Sequence, residues 1–248
     1  MELTNHKVLV TGGSAGIGLA IARKFVDLGN KVAICGRDKA KLDKAKAELG
    51  AIETIQCDLA DHDAPALLAA RVAEKLGGLS VLVNNAGMQE NYSFLNTAPD
   101  KLAEDVHREI QVNLTSVINL TAACLPLLHS TGHSAVINVS SGLAITPKAS
   151  APVYCATKAA IHSFSQALRY QCEDGAPNIS VFEILPPLVD TAMTHGRGSN
   201  KISTRQMVDE MFKGLERDRH EVNVSKVKLL RIIHRLAPSI AARILRDS

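Results

Sequence analysis

The chain has no C-x-x-C pair, and its cysteines stand alone at 35, 57, 124, 155 and 172. An odd number so spaced argues against a disulfide framework or a zinc site and favours free thiols in a reducing compartment. Cytoplasm is the expected location. The N-terminus lacks the basic region and long apolar core of a signal peptide, because Glu2 precedes only a short run from Val8 to Val10. No uninterrupted apolar run of about 20 residues is present to span a bilayer. Residues 110–147 contain no Asp, Glu, Lys or Arg, but Asn113, Asn119, Pro126, His129 and Gly132 break the stretch, so a buried helix followed by a buried strand is expected. Internal repeats, charge blocks and linkers are also missing. The nine histidines are scattered without carboxylate partners in pattern, and no metal is expected.

What is present fits one large α/β unit. The 248 residues are 46% hydrophobic and 21% charged, enough to build a core. A net charge of +3 gives no reason to expect nucleic acid. Short β-branched runs at Val8–Thr11, Val32–Gly36, Ile52–Cys57, Val81–Asn84, Val136–Ser140 and Ile179–Leu185 alternate with helical patterns. Six strands joined by crossover helices predict a single doubly wound α/β domain over residues 1–248, Rossmann-type, with a mostly parallel sheet covered on both faces. After Leu185 the alternation stops. Pro186, Pro187, Gly196, Gly198 and Ser199 mark an irregular stretch, and residues 192–248 read as a substrate loop followed by two C-terminal helical patterns.

Ligands of such folds sit at the carboxyl ends of the strands. The first end reads Thr11-Gly12-Gly13-Ser14-Ala15-Gly16-Ile17-Gly18, a turn whose glycines let a pyrophosphate approach the amides of the following helix. The second reads Cys35-Gly36-Arg37. No acid stands there to bind an adenosine ribose 2′-hydroxyl, and Arg37 suits a 2′-phosphate, so NADP(H) is preferred; Asp38 nearby keeps NAD(H) as an alternative. Later ends give Cys57-Asp58-Leu59 and Asn84-Asn85-Ala86-Gly87, with Asn113 on the next helix. Tyr154 and Lys158 share one helix face at i and i+4, where an ammonium lowers a phenol pKa, and Ser140-Ser141 precede them.

These motifs resemble, in order and spacing, the short-chain dehydrogenase/reductase family: T-G-x-x-x-G-x-G at 11–18, N-N-A-G at 84–87, Asn113, a Ser 13 residues before the Tyr, and Y-x-x-x-K at 154–158. The stretch 152–165 looks, more narrowly, like the bacterial DltE-like branch. The resemblance implies hydride transfer between a nicotinamide cofactor and a carbonyl or alcohol. Tyr154 would be the general acid/base, Lys158 would tune it and hold the nicotinamide ribose, Ser141 would bind the substrate carbonyl, and Asn113 would support a proton relay. Gly12, Ser14, Gly16, Ile17 and Gly18 would hold pyrophosphate and ribose, Asp58 and Leu59 the adenine, and Asn85, Ala86 and Gly87 the adenosine ribose side. Pro186, Val189 and Thr191 would meet the carboxamide, although Pro187 replaces the family's usual glycine. A homodimer or homotetramer through helices near 100–128 and 153–172 is a family expectation.

Two other readings stand beside this one. A non-catalytic NADP(H) sensor or scaffold would have no chemical need for all four of Asn113, Ser141, Tyr154 and Lys158. A nucleotide-sugar epimerase would need an added substrate domain. Residues 226–248 carry six basic residues against Asp247, a net +5, with interleaved apolar residues and Pro238 dividing two helical pieces. Packing on the domain or on a second subunit is the expected role of this tail, and contact with an anionic membrane surface is the alternative.

Overall fold

In strand β1 (Lys7–Thr11) the side chains of Val8 and Val10 enter one apolar cluster and Leu9 enters another, all fully buried. A strand buried on both faces needs a helix layer on each side. The computed structural model, which describes residues 1–247, has that arrangement. On one face pack α1 (Gly16–Asp27), α2 (Lys39–Leu49) and α7 (Thr204–Glu216). On the other lie α3 (Ala64–Leu76), α5 (Ser116–His129) and α6 (Pro152–Gly175).

The sheet orders its strands β3-β2-β1-β4-β5-β6-β7, with β2 Lys31–Gly36, β3 Glu53–Gln56, β4 Val81–Asn84, β5 Ser134–Val139, β6 Ile179–Leu185 and β7 Glu221–Asn223. Every pairing is parallel. The order reverses between β1 and β4, which opens a crevice at their carboxyl ends. Six strands are expected from sequence and seven are found. The extra strand, β7, is three residues long with one buried side chain, too short to carry an alternation.

Helix α4 (Pro99–Ile110) passes through a π-turn, Gln111–Thr115, into α5. By length and composition Pro99–His129 could cross a membrane. In this fold its second half lies on β4 and β5 beside α3. After β6 the chain forms three α-helices rather than two: α7, α8 (Val227–Leu236) and α9 (Pro238–Arg246), with the break falling at Pro238. Val227 and Ala241 anchor α8 and α9 to the body of the protein, while Leu229, Ile232, Leu236, Ile240 and Ile244 remain exposed. Met207 and Met211 are core residues of α7, and Met193 lies exposed in the loop after β6.

Candidate active site

The turn after β1 is shaped by conformations that only glycine adopts easily. Gly12 and Gly16 have φ of 63° and 54°. A Cβ on Gly18 would collide with the Gly12 carbonyl oxygen and the Asn85 amide. Thr11 ties this turn to β4: its hydroxyl accepts the backbone N–H groups of Asn85 and Ala86, each at 2.9 Å, and donates to the Val83 carbonyl at 3.2 Å. The Asn85 side chain donates to the Thr11 carbonyl at 2.9 Å. Asn85 thus clamps two strand ends with its side chain. Behind the turn, α1 begins at Ala15 with no side-chain cap and no acid in its first turn. Its leading amides and positive dipole end are available to an anion, which fits a pyrophosphate.

At the end of β2, Arg37 is exposed; its backbone carbonyl accepts from Gln56, and its guanidinium forms no ion pair among the described residues. Asp38 faces elsewhere. Its carboxylate caps α2 by accepting from the Lys41 N–H at 3.1 Å and lies 3.7 Å from the Lys41 ammonium. Asp58 turns back to the Ala60 N–H, and Leu59 is buried against α3. Beyond β6, the side chain of Thr191 lies against Gly16, bringing the Pro186–Thr191 segment across the start of α1. Val189 is buried, and no residue from 186 to 191 has a positive φ, so Pro187 fits without strain where the family usually has glycine.

Asn113, in the π-turn, is fully buried and grips the loop after β4 from both sides. Its Oδ1 accepts from the Met88 N–H and its Nδ2 donates to the Met88 carbonyl, both at 2.8 Å. Ser140 and Ser141 are distinguished by their partners. The Ser140 hydroxyl donates to the Lys158 carbonyl at 3.3 Å, whereas the Ser141 hydroxyl favours the ionised form of Tyr154 by hydrogen bonding. Tyr154 begins α6 half-buried, with the Lys158 ammonium 5.6 Å from its ring centroid. Lys158 donates to the Val139 carbonyl at 2.9 Å.

Burial governs the charges here. It pushes the Tyr154 phenol up to about 12, and Ser141 and Arg197 oppose the rise. The lowering by Lys158 expected from sequence does not govern the phenol here; burial does, and the opposing groups are Ser141 and Arg197. Burial also draws Lys158 down to about 8, opposed by the Glu183 carboxylate. Glu183, 2% exposed on β6, is bonded to His162 at 2.6 Å and raises that imidazole's pKa. Cys155 is buried and its thiol is pushed up by desolvation, the behaviour of a packing residue.

The structure therefore brings Asn113, Ser141, Tyr154 and Lys158 to the carboxyl edge beside the glycine turn. Sequence reading missed Thr11, Glu183, His162 and three residues at the mouth: Gln89, Lys148 and Arg197. Thr11 stood inside the glycine motif. The others had no spacing signal, because they meet only through the fold. Two surface clefts lie elsewhere: about 330 Å³ between α7, β7 and α8, and about 300 Å³ at the opposite end of the sheet near Met1 and Asn178.

The family pattern for short chain dehydrogenases matches residues 6–202. An uncharacterized oxidoreductase, DltE, of Bacillus subtilis is 40% identical over 237 residues, covering 93% of this chain and 92% of the relative. A 3alpha-hydroxysteroid dehydrogenase of Mediterraneibacter gnavus is 30% identical over 78% of this chain and 77% of its own length. Among solved structures, a short-chain dehydrogenase from Sphingobium yanoikuyae in complex with NADPH superposes with a TM-score of 0.80 at 28% identity, covering 95% of this chain and 92% of that one. One from Burkholderia phymatum in complex with NAD gives 0.85 at 19% identity, covering 95% and 96%. With its seven-stranded parallel sheet, its glycine turn and a match over most of its length, the chain belongs to the short-chain dehydrogenase/reductase family of oxidoreductases.

Proposed function

We propose that this protein is an NADP(H)-dependent oxidoreductase acting on a carbonyl/alcohol substrate, with Tyr154 as its general acid/base. The observation that carries the reading is the convergence of Ser141, Tyr154 and Lys158, with Asn113 behind them, at the crevice beside the uncapped start of α1. A nicotinamide cofactor, when bound, supplies or accepts the hydride. Gly12, Ser14, Gly16, Ile17 and Gly18 bind its pyrophosphate and ribose, and Asp58, Leu59 and Asn85 to Gly87 wall the adenosine side. Pro186, Val189 and Thr191 bound the carboxamide end. Arg37 is exposed, without an ion pair among the described residues, and suits a 2′-phosphate, while Asp38 is engaged in capping α2; both support NADP(H) over NAD(H). The NADPH complex of the Sphingobium relative is consistent with this choice.

Ser141 orients the substrate oxygen, and the Tyr154 hydroxyl transfers the proton. Burial keeps the phenol protonated in the chain alone, the form that gives a proton to a substrate carbonyl. Lys158 supplies a positive charge under the phenol and binds the nicotinamide ribose. Turnover with NADPH and with NADH across aldehydes, ketones, keto esters and acyl thioesters tests the assignment. A chain that binds NADPH but reduces none of them would be the sensor or scaffold instead.

Further proposals concern the setting. Five free cysteines support a reducing compartment such as the cytoplasm. Exposed Ile110, Ile118 and Tyr170 on α4, α5 and α6 support a homodimer or homotetramer. The apolar stripe of α8 and α9 is proposed as a contact between copies of the chain, with an anionic membrane surface as the alternative.

A further inference from the structure

Two cations sit at the mouth of the candidate site without an anion. Lys148, in the loop after β5, is 9% exposed. Arg197, in the loop after β6, is half-buried. Neither forms an ion pair among the described residues. Both converge on Gln89, in the loop after β4: Arg197 Nη2 donates to its backbone carbonyl at 3.2 Å. With the Gln89 amide oxygen turned toward the cations, it accepts from Lys148 Nζ at 3.0 Å and Arg197 Nη1 at 3.3 Å. One neutral amide therefore serves where two positive charges would hold a carboxylate or phosphate.

The electrostatics agree with this geometry. Burial and the neighbouring Arg197 both lower the Lys148 pKa, and the group opposing them is the Cys155 thiol rather than a carboxylate. Arg197 also favours the ionised form of Tyr154, which places it within electrostatic reach of the phenol. The buried carboxylate that acts on Tyr154 from the other direction, Glu109, has both oxygens occupied, by the Glu90 N–H at 3.2 Å and the Tyr92 hydroxyl at 2.9 Å. A buried ammonium is costly unless paired, and a second cation beside it adds repulsion. Such a pair is retained at low cost where a ligand brings the missing charge.

We propose that Lys148 and Arg197 form an anion subsite beside Tyr154, and that the substrate is a carbonyl compound bearing a carboxylate or phosphate group. The inference rests on the oxidoreductase reading and narrows its substrate class. The three contributing loops follow β4, β5 and β6, so the subsite borders the Ser141–Tyr154 pair on the side away from Arg37. A guanidinium and an ammonium together give one planar fork and one point charge, able to hold either anion.

Matched pairs test it: a keto acid against its methyl ester, and a phosphorylated hydroxyketone against the free hydroxyketone, each with saturating NADPH. In one pair the wild-type kcat/KM should favour the anionic member by about tenfold or more, as expected of a charge-assisted contact. Lys148→Met and Arg197→Met should each shrink that ratio by about tenfold, mainly through KM, and added salt should shrink it further. The pair with the larger ratio identifies carboxylate or phosphate. Ratios near one in both pairs, or ratios unchanged in folded variants, overturn the proposal. A second readout needs no turnover: NMR of the cofactor-free chain, labelled at lysine and arginine, titrated with acetate and with inorganic phosphate. Shifts at Lys148 and Arg197 that disappear in the variants support the subsite, and their absence in wild type overturns it. If wild type reduces no member of either pair, the substrate class is overturned, the wider panel above decides the oxidoreductase reading, and the titration decides the anion subsite. Should Lys148→Met not fold, Arg197→Met carries the same test from an exposed loop.

Discussion

At the β1–β2 end of the crevice the working groups are backbone amides, a few glycines and one exposed arginine. At the β5–β6 end they are ionisable side chains held out of water: Lys158, Lys148 and Glu183 are nearly buried, and Glu109 is completely so. The first region binds charge with dipoles that the chain cannot lose. The second stores charge in a medium that resists it, so its protonation states depend on neighbours. A binding surface for a constant ligand can be built from backbone. A site that moves protons needs groups whose ionisation is adjustable, and burial provides the adjustment.

The contrast predicts that the first region responds to shape and the second to charge. The largest effect is expected from Gly18→Ala, whose methyl would meet the Gly12 carbonyl and the Asn85 amide. Urea unfolding should show a loss of about 3 kcal/mol, with cofactor binding lost as well, because the Gly12 backbone on one side and the Asn85 side chain, held by the Thr11 carbonyl, on the other leave little room to relax. Unaltered stability would mean that the turn is softer than its geometry implies.

Next in size, Tyr154→Phe should lower kcat by about two orders of magnitude or more while leaving NADPH affinity largely intact. Measured with one verified substrate, wild-type turnover in this variant would remove Tyr154 from proton transfer. Arg37→Ala should then weaken NADPH by about 1.5–3 kcal/mol, as for a charge-assisted contact, and leave NADH nearly unchanged. Titration of both cofactors checks it, and equal losses would assign Arg37 no role at the 2′-phosphate.

The smallest effect tests stored charge directly. Lys158 is drawn from 10.5 to about 8, so between those values the unfolded chain holds a proton that the folded chain has released. Stability therefore rises with pH across that window and falls again as pH drops toward 8. Tyr154 acts above this range, since its phenol is raised to about 12. Cofactor-free wild type should gain on the order of 1 kcal/mol from pH 8 to 9.5 relative to Lys158→Met in denaturant titrations. Parallel curves for the two proteins would show that Lys158 is not desolvated.

The same division governs what could be read before any fold was known. The glycine turn, the Asn84-Asn85-Ala86-Gly87 loop and the Tyr154–Lys158 pair are local, each confined to one turn or one helix face, so their spacing survives in the sequence. The preference for Ser141 over Ser140 rests on the family's 13-residue spacing to the Tyr, and in the fold the Ser140 hydroxyl faces the Lys158 carbonyl. Strand β7 was illegible because three residues carry no period.

The sequence by itself determined six of the seven strands with the helices between them, the glycine turn after β1 and the arginine that follows β2, because each depends on residues adjacent in the chain. Only the tertiary structure decided that Glu183 faces Lys158 and that Gln89, Lys148 and Arg197 meet beside Tyr154. Gln89, Lys148 and Arg197 come from three loops 59 and 49 residues apart, and Glu183 from a strand 25 residues beyond Lys158. Their charges interact through space across parallel strands that pair only when the helices cover both faces, and no local pattern in the chain encodes that distance.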